Sequence, residues 1–286
     1  MGPRVTDPGA YRACVQAPAT IEAGSGPAVL MVHGLNGFKE GWGRLPRLLA
    51  DAGFRAVAVD LPGFGATPRS RRTTPQSQAR AIAPLVADLA PVALIGHSLG
   101  TQVAMLLAAA RPELVGRIAL LAPWVLARPR RIPPRRISDV LQLPLVGRPI
   151  ARLAIARARS SPARRRDAFL TTVGDPASLT GDPAMAALLE EADDRLLRAD
   201  LKAIADWGAS GLALDVRPLA ARIARPTLVV VGTLDRVTKP HGAHWLADAL
   251  PRGRLLSLPR IGHFPHLEAP DEVAAAIVAL LAPRAG

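Results

Sequence analysis

Two hydrophobic patterns alternate along the first half of the chain. One is a short run that is apolar at nearly every position. The other is a longer stretch with helical spacing. "AVLMVHG" (28–34), "FRAVAVDLPG" (54–63), "VALIGHS" (92–98) and "RIALLAP" (117–123) are of the first kind. Between them lie "WGRLPRLLADAG" (42–53), "QSQARAIAPLVADLA" (76–90) and "LGTQVAMLLAAARP" (99–112). Pro46 is tolerable only in a first helical turn, and Pro84 weakens the second helix. Runs apolar throughout, rather than alternating, fit strands covered on both faces of a parallel sheet, with the helices as crossovers.

The rhythm breaks at Trp124. From there to about Arg217 no strand-like run occurs, and proline, arginine and helical patches dominate, as in "MAALLEEADDRLLRADLKAIADW" (185–207). It resumes with a strand at 226–235, a helix near 242–250, a strand at 254–260 and a helix at 271–281. This organisation predicts one α/β core made of residues 1–123 and 218–286, with residues 124–217 inserted as a helical lid. No internal repeat is visible.

Composition adjusts this picture little. The 286 residues suit one large domain or a domain with an insertion, and 49% of them are hydrophobic, enough for a sizeable core. The one cysteine, Cys14, permits no disulfide within the chain, which fits a reducing compartment. The N-terminus lacks an apolar signal core, and no apolar run approaches the about 18–20 residues needed to span a bilayer. A soluble cytoplasmic protein is expected. Met1-Gly2 with Thr6 formally fits a myristoylation pattern, although Pro3 and the shortness of the pattern make chance the better reading.

Charge is more informative. The net charge is +13, and all but three of the 36 cations are arginine, as codon bias in a GC-rich genome would produce. From Arg128 to Arg166 there are twelve arginines against one acid, Asp139. That stretch is read three ways: a solvated surface, a recognition site for an acidic substrate or acyl carrier protein, or weak contact with an anionic membrane surface. Nucleic acid is not an expected partner, because aromatic interleaving and nucleic-acid motifs are lacking.

The chemistry centres on Gly96-His97-Ser98-Leu99-Gly100, a G-x-S-x-G pentapeptide where a strand meets a helix. A tight turn there needs small flanking residues and lifts the hydroxyl above the C-terminal edge of the sheet. Taken alone, the pentapeptide is a moderate signal for a nucleophile, with a structural turn as the alternative. A serine nucleophile needs a base oriented by an acid. Asp235 follows one later strand and His263 the next, so both should reach the same sheet edge. Charge growing on a carbonyl oxygen needs donors. The backbone N–H groups of Leu99 and of Leu35, in the loop after the first apolar strand, are the expected oxyanion hole.

With these residues in view, the chain resembles the α/β-hydrolase superfamily over nearly its whole length. "HGLNGFKEGW", "DLPGFGATP", "GHSLG", "GTLDRVTKP" and "GHFPHLEAPDEV" match family motifs in family order. The resemblance implies an α/β-hydrolase fold: a mostly parallel eight-stranded sheet with helices on both faces and a lid inserted after the sixth strand. It also implies a Ser98–His263–Asp235 triad acting on a small acyl substrate without cofactor or metal. Esters are the first expectation. Thioesters, lactones, C–C bonds, acyl transfer or cyclisation, and a ligand-binding receptor are the alternatives. Thr101 departs from the pattern, standing where many relatives have glycine. Some relatives place the acid after the sixth strand, but Ala122-Pro123-Trp124 offers none there, which favours Asp235. Dehalogenases and epoxide hydrolases of this fold use an aspartate nucleophile, which Ser98 argues against.

The resemblance assigns Asp60 to holding its loop, His33 to shaping the oxyanion loop, and His266 and Glu268 to fixing the histidine loop and the last helix. His97 should point away from substrate and pack, and Trp42 should be core. His241 and His244 share a helix face without a completing carboxylate or cysteine, so a solvated face is expected rather than a metal site. Trp124 and Trp207 either line an acyl pocket or close a small core within the lid.

Overall fold

The computed structural model describes residues 17–125, 149, 153, 156, 157, 160–180 and 183–282. In chain order the first half gives β1 (Thr20–Ala23), β2 (Ala28–Val32), α1 (Leu45–Asp51), β3 (Arg55–Val59), α2 (Pro75–Asp88), β4 (Val92–His97), α3 (Gly100–Ala110) and β5 (Val115–Leu121). There follow α4 (Pro162–Leu170), α5 (Ala177–Thr180), α6 (Pro183–Arg198), α7 (Leu201–Ala213) and α8 (Arg217–Ala220). The pattern then returns to β6 (Thr227–Gly232), α9 (Pro240–Ala249), β7 (Gly253–Leu258), α10 (Pro265–Glu268) and α11 (Pro270–Leu281).

The strands form one sheet in the order β1-β3-β2-β4-β5-β6-β7. All neighbours are parallel except β1, which runs antiparallel to β3 with Thr20 opposite Val59. Eight strands were expected, and the described residues hold seven. The apolar-run signal missed β1 because its sequence, TIEA, is short, only partly buried and lies at an edge.

Alternate residues of each central strand enter two separate cores. Leu30, Val32, Leu94, Leu120, Val229 and Val231 join the side covered by α2, α3, α7 and α9. Val29, Met31, Ile95, Leu121 and Val230 join the side covered by α1 and α11. Each of these side chains is almost wholly removed from water, a contribution of about 1.5–3 kcal/mol apiece before entropy is counted. This two-sided burial is why the strands read as unbroken apolar runs.

Local chemistry sets several element ends. Thr74 and Ser77 form a reciprocal capping box at the start of α2, with Pro75 in the first turn. Pro84 sits on the exposed side of that helix, where its missing N–H is tolerated. The helical stretch 185–207 falls on two helices, α6 and α7: Asp200 turns out of the helical conformation between them and caps α7 by accepting from the Lys202 and Ala203 N–H groups. Among the described residues, no strand lies between β5 and β6, and no helix is long and apolar enough to cross a membrane.

Candidate active site

β4, β6 and β7 are parallel, so the loops leaving their C-terminal ends gather at one edge of the sheet. Ser98 follows β4 directly and has φ +51°, a left-handed conformation that is costly for a non-glycine residue. Its neighbours make that turn possible. A Cβ on Gly96 would lie 2.7 Å from the Thr101 Cα, and one on Gly100 would lie 2.3 Å from the Val32 carbonyl oxygen. The turn is pinned to the sheet by Ser98 N–H donating to the Leu121 carbonyl at 2.9 Å. Thr101 donates its hydroxyl to the Ser98 carbonyl at 2.6 Å, so threonine adds a bond within the turn.

Ser98 Oγ lies 3.0 Å from His263 Nε2, and His263 Nδ1 lies 3.0 Å from Asp235 Oδ2. The Asp235 carboxylate only accepts, so Nδ1 carries the proton and Nε2 is left to accept from the serine. Asp235 is itself fixed. Its Oδ1 accepts from the Val237 and Thr238 N–H groups at 2.8 and 2.9 Å, and its Oδ2 from the Thr238 hydroxyl at 2.6 Å. Burial alone would raise its pKa, but the hydrogen bonds and charge of His263 and the Thr238 bonds outweigh it and hold the carboxyl below its usual range. The three side chains are all buried.

The loop expected to form the oxyanion hole lies against the serine: a Cβ on Gly34 would be 2.8 Å from the Ser98 Cβ. Among the described residues, neither the Leu35 nor the Leu99 N–H donates a hydrogen bond. His33 shapes this loop. Its Nε2 accepts from the Leu61 N–H at 3.1 Å, so Nδ1–H donates to the Gly34 carbonyl at 2.7 Å. Burial, partly offset by that bond and by Asp60, lowers its pKa. Asp60 ties neighbouring loops together, accepting from Lys39 N–H at 2.6 Å and Ala66 N–H at 2.8 Å.

His97 does more than the packing expected of it. Its Nε2–H donates to the His263 carbonyl oxygen at 2.9 Å, so it holds the backbone of the histidine loop. Burial, then the neighbouring His266 and His263, push its pKa well down. His266 packs on the Trp42 ring at 4.9 Å and on His97 at 4.6 Å. Burial, with His263 close by, lowers His266 to about 3. Glu268 accepts from the Gly262 and Phe264 N–H groups, on either side of His263.

Trp207 is fully buried, edge-on to Phe64 at 5.1 Å and near His33 at 6.2 Å. Trp124 is partly buried against the same core cluster. Both therefore belong to the main core and not to a separate core within the insertion. His241 and His244 are exposed on α9, and no group of three metal-ligating side chains exists among the described residues. Most of the arginine-rich stretch from Arg128 to Arg166 lies outside the described residues. Within it, Arg165 pairs with Asp193 through both carboxylate oxygens, while Arg157, Arg164 and Arg166 are exposed. The roles of His97 and Thr238 escaped the sequence reading. Thr238 had a faint local signal, an Asp with Thr three residues later, as in an Asx-type turn.

Comparison with known proteins agrees with this architecture. Residues 29–276 match the model of the alpha/beta hydrolase family. The chain is 31% identical to a candidate non-heme bromoperoxidase, BpoC, of Mycobacterium tuberculosis, over 91% of this chain and 95% of that protein. It is 29% identical to a pimeloyl-[acyl-carrier protein] methyl ester esterase of Nitrosomonas europaea, over 90% of this chain and 96% of the other. The crystal structure of BpoC superposes with a TM-score of 0.76 at 26% identity, over 93% of this chain and 96% of that one. A thermophilic esterase from Thermogutta terrifontis shares the fold at a TM-score of 0.74 and 24% identity, over 92% of each chain. With the sheet order, the strand-end site and a family match across most of its length, the chain belongs to the α/β-hydrolase family of enzymes.

Proposed function

We propose that this chain is a serine hydrolase that cleaves a carboxylic ester or a related acyl compound through an acyl-enzyme, with residues 124–217 as the lid over its site. One observation carries the reading: a continuous hydrogen-bonded line from Asp235 through His263 to Ser98, each contact at 3.0 Å, on a strained turn at the sheet edge. Ser98 Oγ attacks the carbonyl carbon while His263 Nε2 takes its proton. His263 then returns the proton to the leaving oxygen, and the acyl group remains on Ser98. Asp235 keeps the base in the accepting tautomer and stabilises its imidazolium form. The Leu35 and Leu99 N–H groups receive the oxyanion, each such donor being worth about 2.7–4 kcal/mol in the transition state. Water activated by His263 then releases the acid. None of these steps calls for a metal or cofactor.

The ester reading is favoured over C–C cleavage by relatives whose names specify methyl ester hydrolysis. A panel of short and long p-nitrophenyl esters, thioesters and lactones ranks the acyl classes. The nucleophile is tested directly: a fluorophosphonate probe should label the wild-type protein at Ser98 and leave Ser98→Ala unlabelled. A folded wild-type protein that resists the probe would overturn the reading.

A further inference from the structure

We infer that the foot of the inserted segment, residues 172–174, forms part of the seat of His263, and that Glu268 is the positioning residue that latches the two together. This rests on the reading of His263 as the base. Three backbone layers meet behind that residue: the end of β6 at Gly232, the loop 260–263, and the inserted turn 172–174. They touch with no room for a single methyl group. A Cβ on Gly232 would lie 2.2 Å from the Ile261 carbonyl oxygen, one on Gly262 would lie 2.4 Å from Gly174 N, and one on Gly174 would lie 2.2 Å from the Arg260 carbonyl oxygen.

Hydrogen bonds close the stack. The His263 N–H donates to the Thr172 carbonyl at 2.8 Å, while its own carbonyl is held by His97. Both backbone polar groups of the histidine are thus fixed by residues far away in sequence. Glu268 spans the junction. Its Oε2 accepts from Gly262 N–H and Gly174 N–H, each at 2.8 Å, and its Oε1 accepts from Phe264 N–H at 3.0 Å. Among the described residues no cation pairs with this carboxylate, so three backbone amides are what it holds. A small apolar cluster supports the latch, with Val173, Leu179 and Met185 of the insertion packed on Leu267, and Phe169 on Phe264 at 5.0 Å.

The consequence is mechanical. Lifting this foot would strip the His263 N–H of its acceptor and Glu268 of one donor, moving the base with it. Any opening of the insertion must therefore hinge beyond residues 172–174. A glutamine at 268 keeps the shape but turns an NH₂ toward one of the three N–H groups, leaving it without an acceptor.

The test compares wild type, Glu268→Gln and Gly174→Ala, each well below its own Tm. Displacing a base by a fraction of an ångström should lower kcat by about ten- to a hundredfold, with KM changed by less than about threefold. Fluorophosphonate labelling of Ser98 should slow by a similar factor. A lowered Tm with kcat and labelling rate at wild-type values would mean that Glu268 only stabilises the fold, and would overturn the inference. If neither variant folds, amide hydrogen exchange in the wild type decides. Gly174, Gly262, His263 and Phe264 should exchange together, and rapid exchange at Gly174 beside protection at Phe264 would overturn the latch. Failure of the wild type to be labelled at all would remove the triad reading instead, which keeps the two failures distinct.

Discussion

Acid should unfold this protein through its buried histidines before its carboxylates titrate. His33, His97 and His266 are buried and all have lowered pKa values, with burial the largest cause in each. A histidine depressed in this way stays neutral in the native state while the unfolded chain takes up the proton. Stability is therefore lost as pH falls below the unfolded value of 6.5, and the loss continues until the folded value is reached. His266 falls from 6.5 to about 3. At pH 4.5 its unfolded form is favoured by about two pKa units of protonation, or about 2.7 kcal/mol at 1.36 kcal/mol per unit. His33 and His97 act in the same direction, so the slope of stability against pH should exceed one proton, more than about 1.4 kcal/mol per pH unit. A domain stable by about 5–15 kcal/mol cannot absorb much of this.

The assay is urea unfolding followed by tryptophan fluorescence at pH 7, 5.5 and 4.5, since Trp42 packs directly on His266. The window matters. Asp193, Asp200, Asp215 and Asp235 have pKa values lowered from 3.8, so their contributions are kept until pH falls below the range measured, and exposed Glu22, lowered from 4.5 by its bond to Arg55, begins to lose its contribution only at the acid end of that range. The comparison is His266→Gln, which removes one titrating group. Its profile should be shallower by about one proton, about 1.4 kcal/mol per pH unit. A wild-type stability that is flat from pH 6.5 to 4.5 would refute the reasoning, as would a His266→Gln slope equal to the wild-type slope. Either result would mean that the packed histidines reach water or a partner when protonated.

Two further outcomes follow from the same contacts. Asp235→Asn should lower kcat by about 10⁴-fold with little change in Tm, because an amide can donate to Nδ1 and so place the proton on Nε2, where it blocks acceptance from Ser98; steady-state ester hydrolysis reads this. Trp207→Ala should destabilise the fold by about 3–5 kcal/mol in urea titration, whereas Trp207→Phe should cost clearly less, since the indole N–H has no partner among the described residues.

Much of this molecule is legible in its sequence because two-sided burial and tight turns leave local traces. The unbroken apolar runs mark the central strands, and Gly96 and Gly100 around Ser98 mark a turn whose neighbours leave no room for a methyl group. β1 is less legible: four residues at an edge, paired on one side, impose no periodicity. The break between α6 and α7 is a local event too, but Asp200 reads as a cap only once the chain on both sides is known to be helical. What the sequence cannot carry is contact between backbones. Gly174 and Gly262 each look like turn glycines, yet each is small because the other lies against it. His97 shows the same limit. Its direction, away from the Ser98 hydroxyl, follows from its place in the motif. Its acceptor is the main-chain carbonyl of residue 263, a group that every amino acid supplies and that therefore leaves no mark in the sequence.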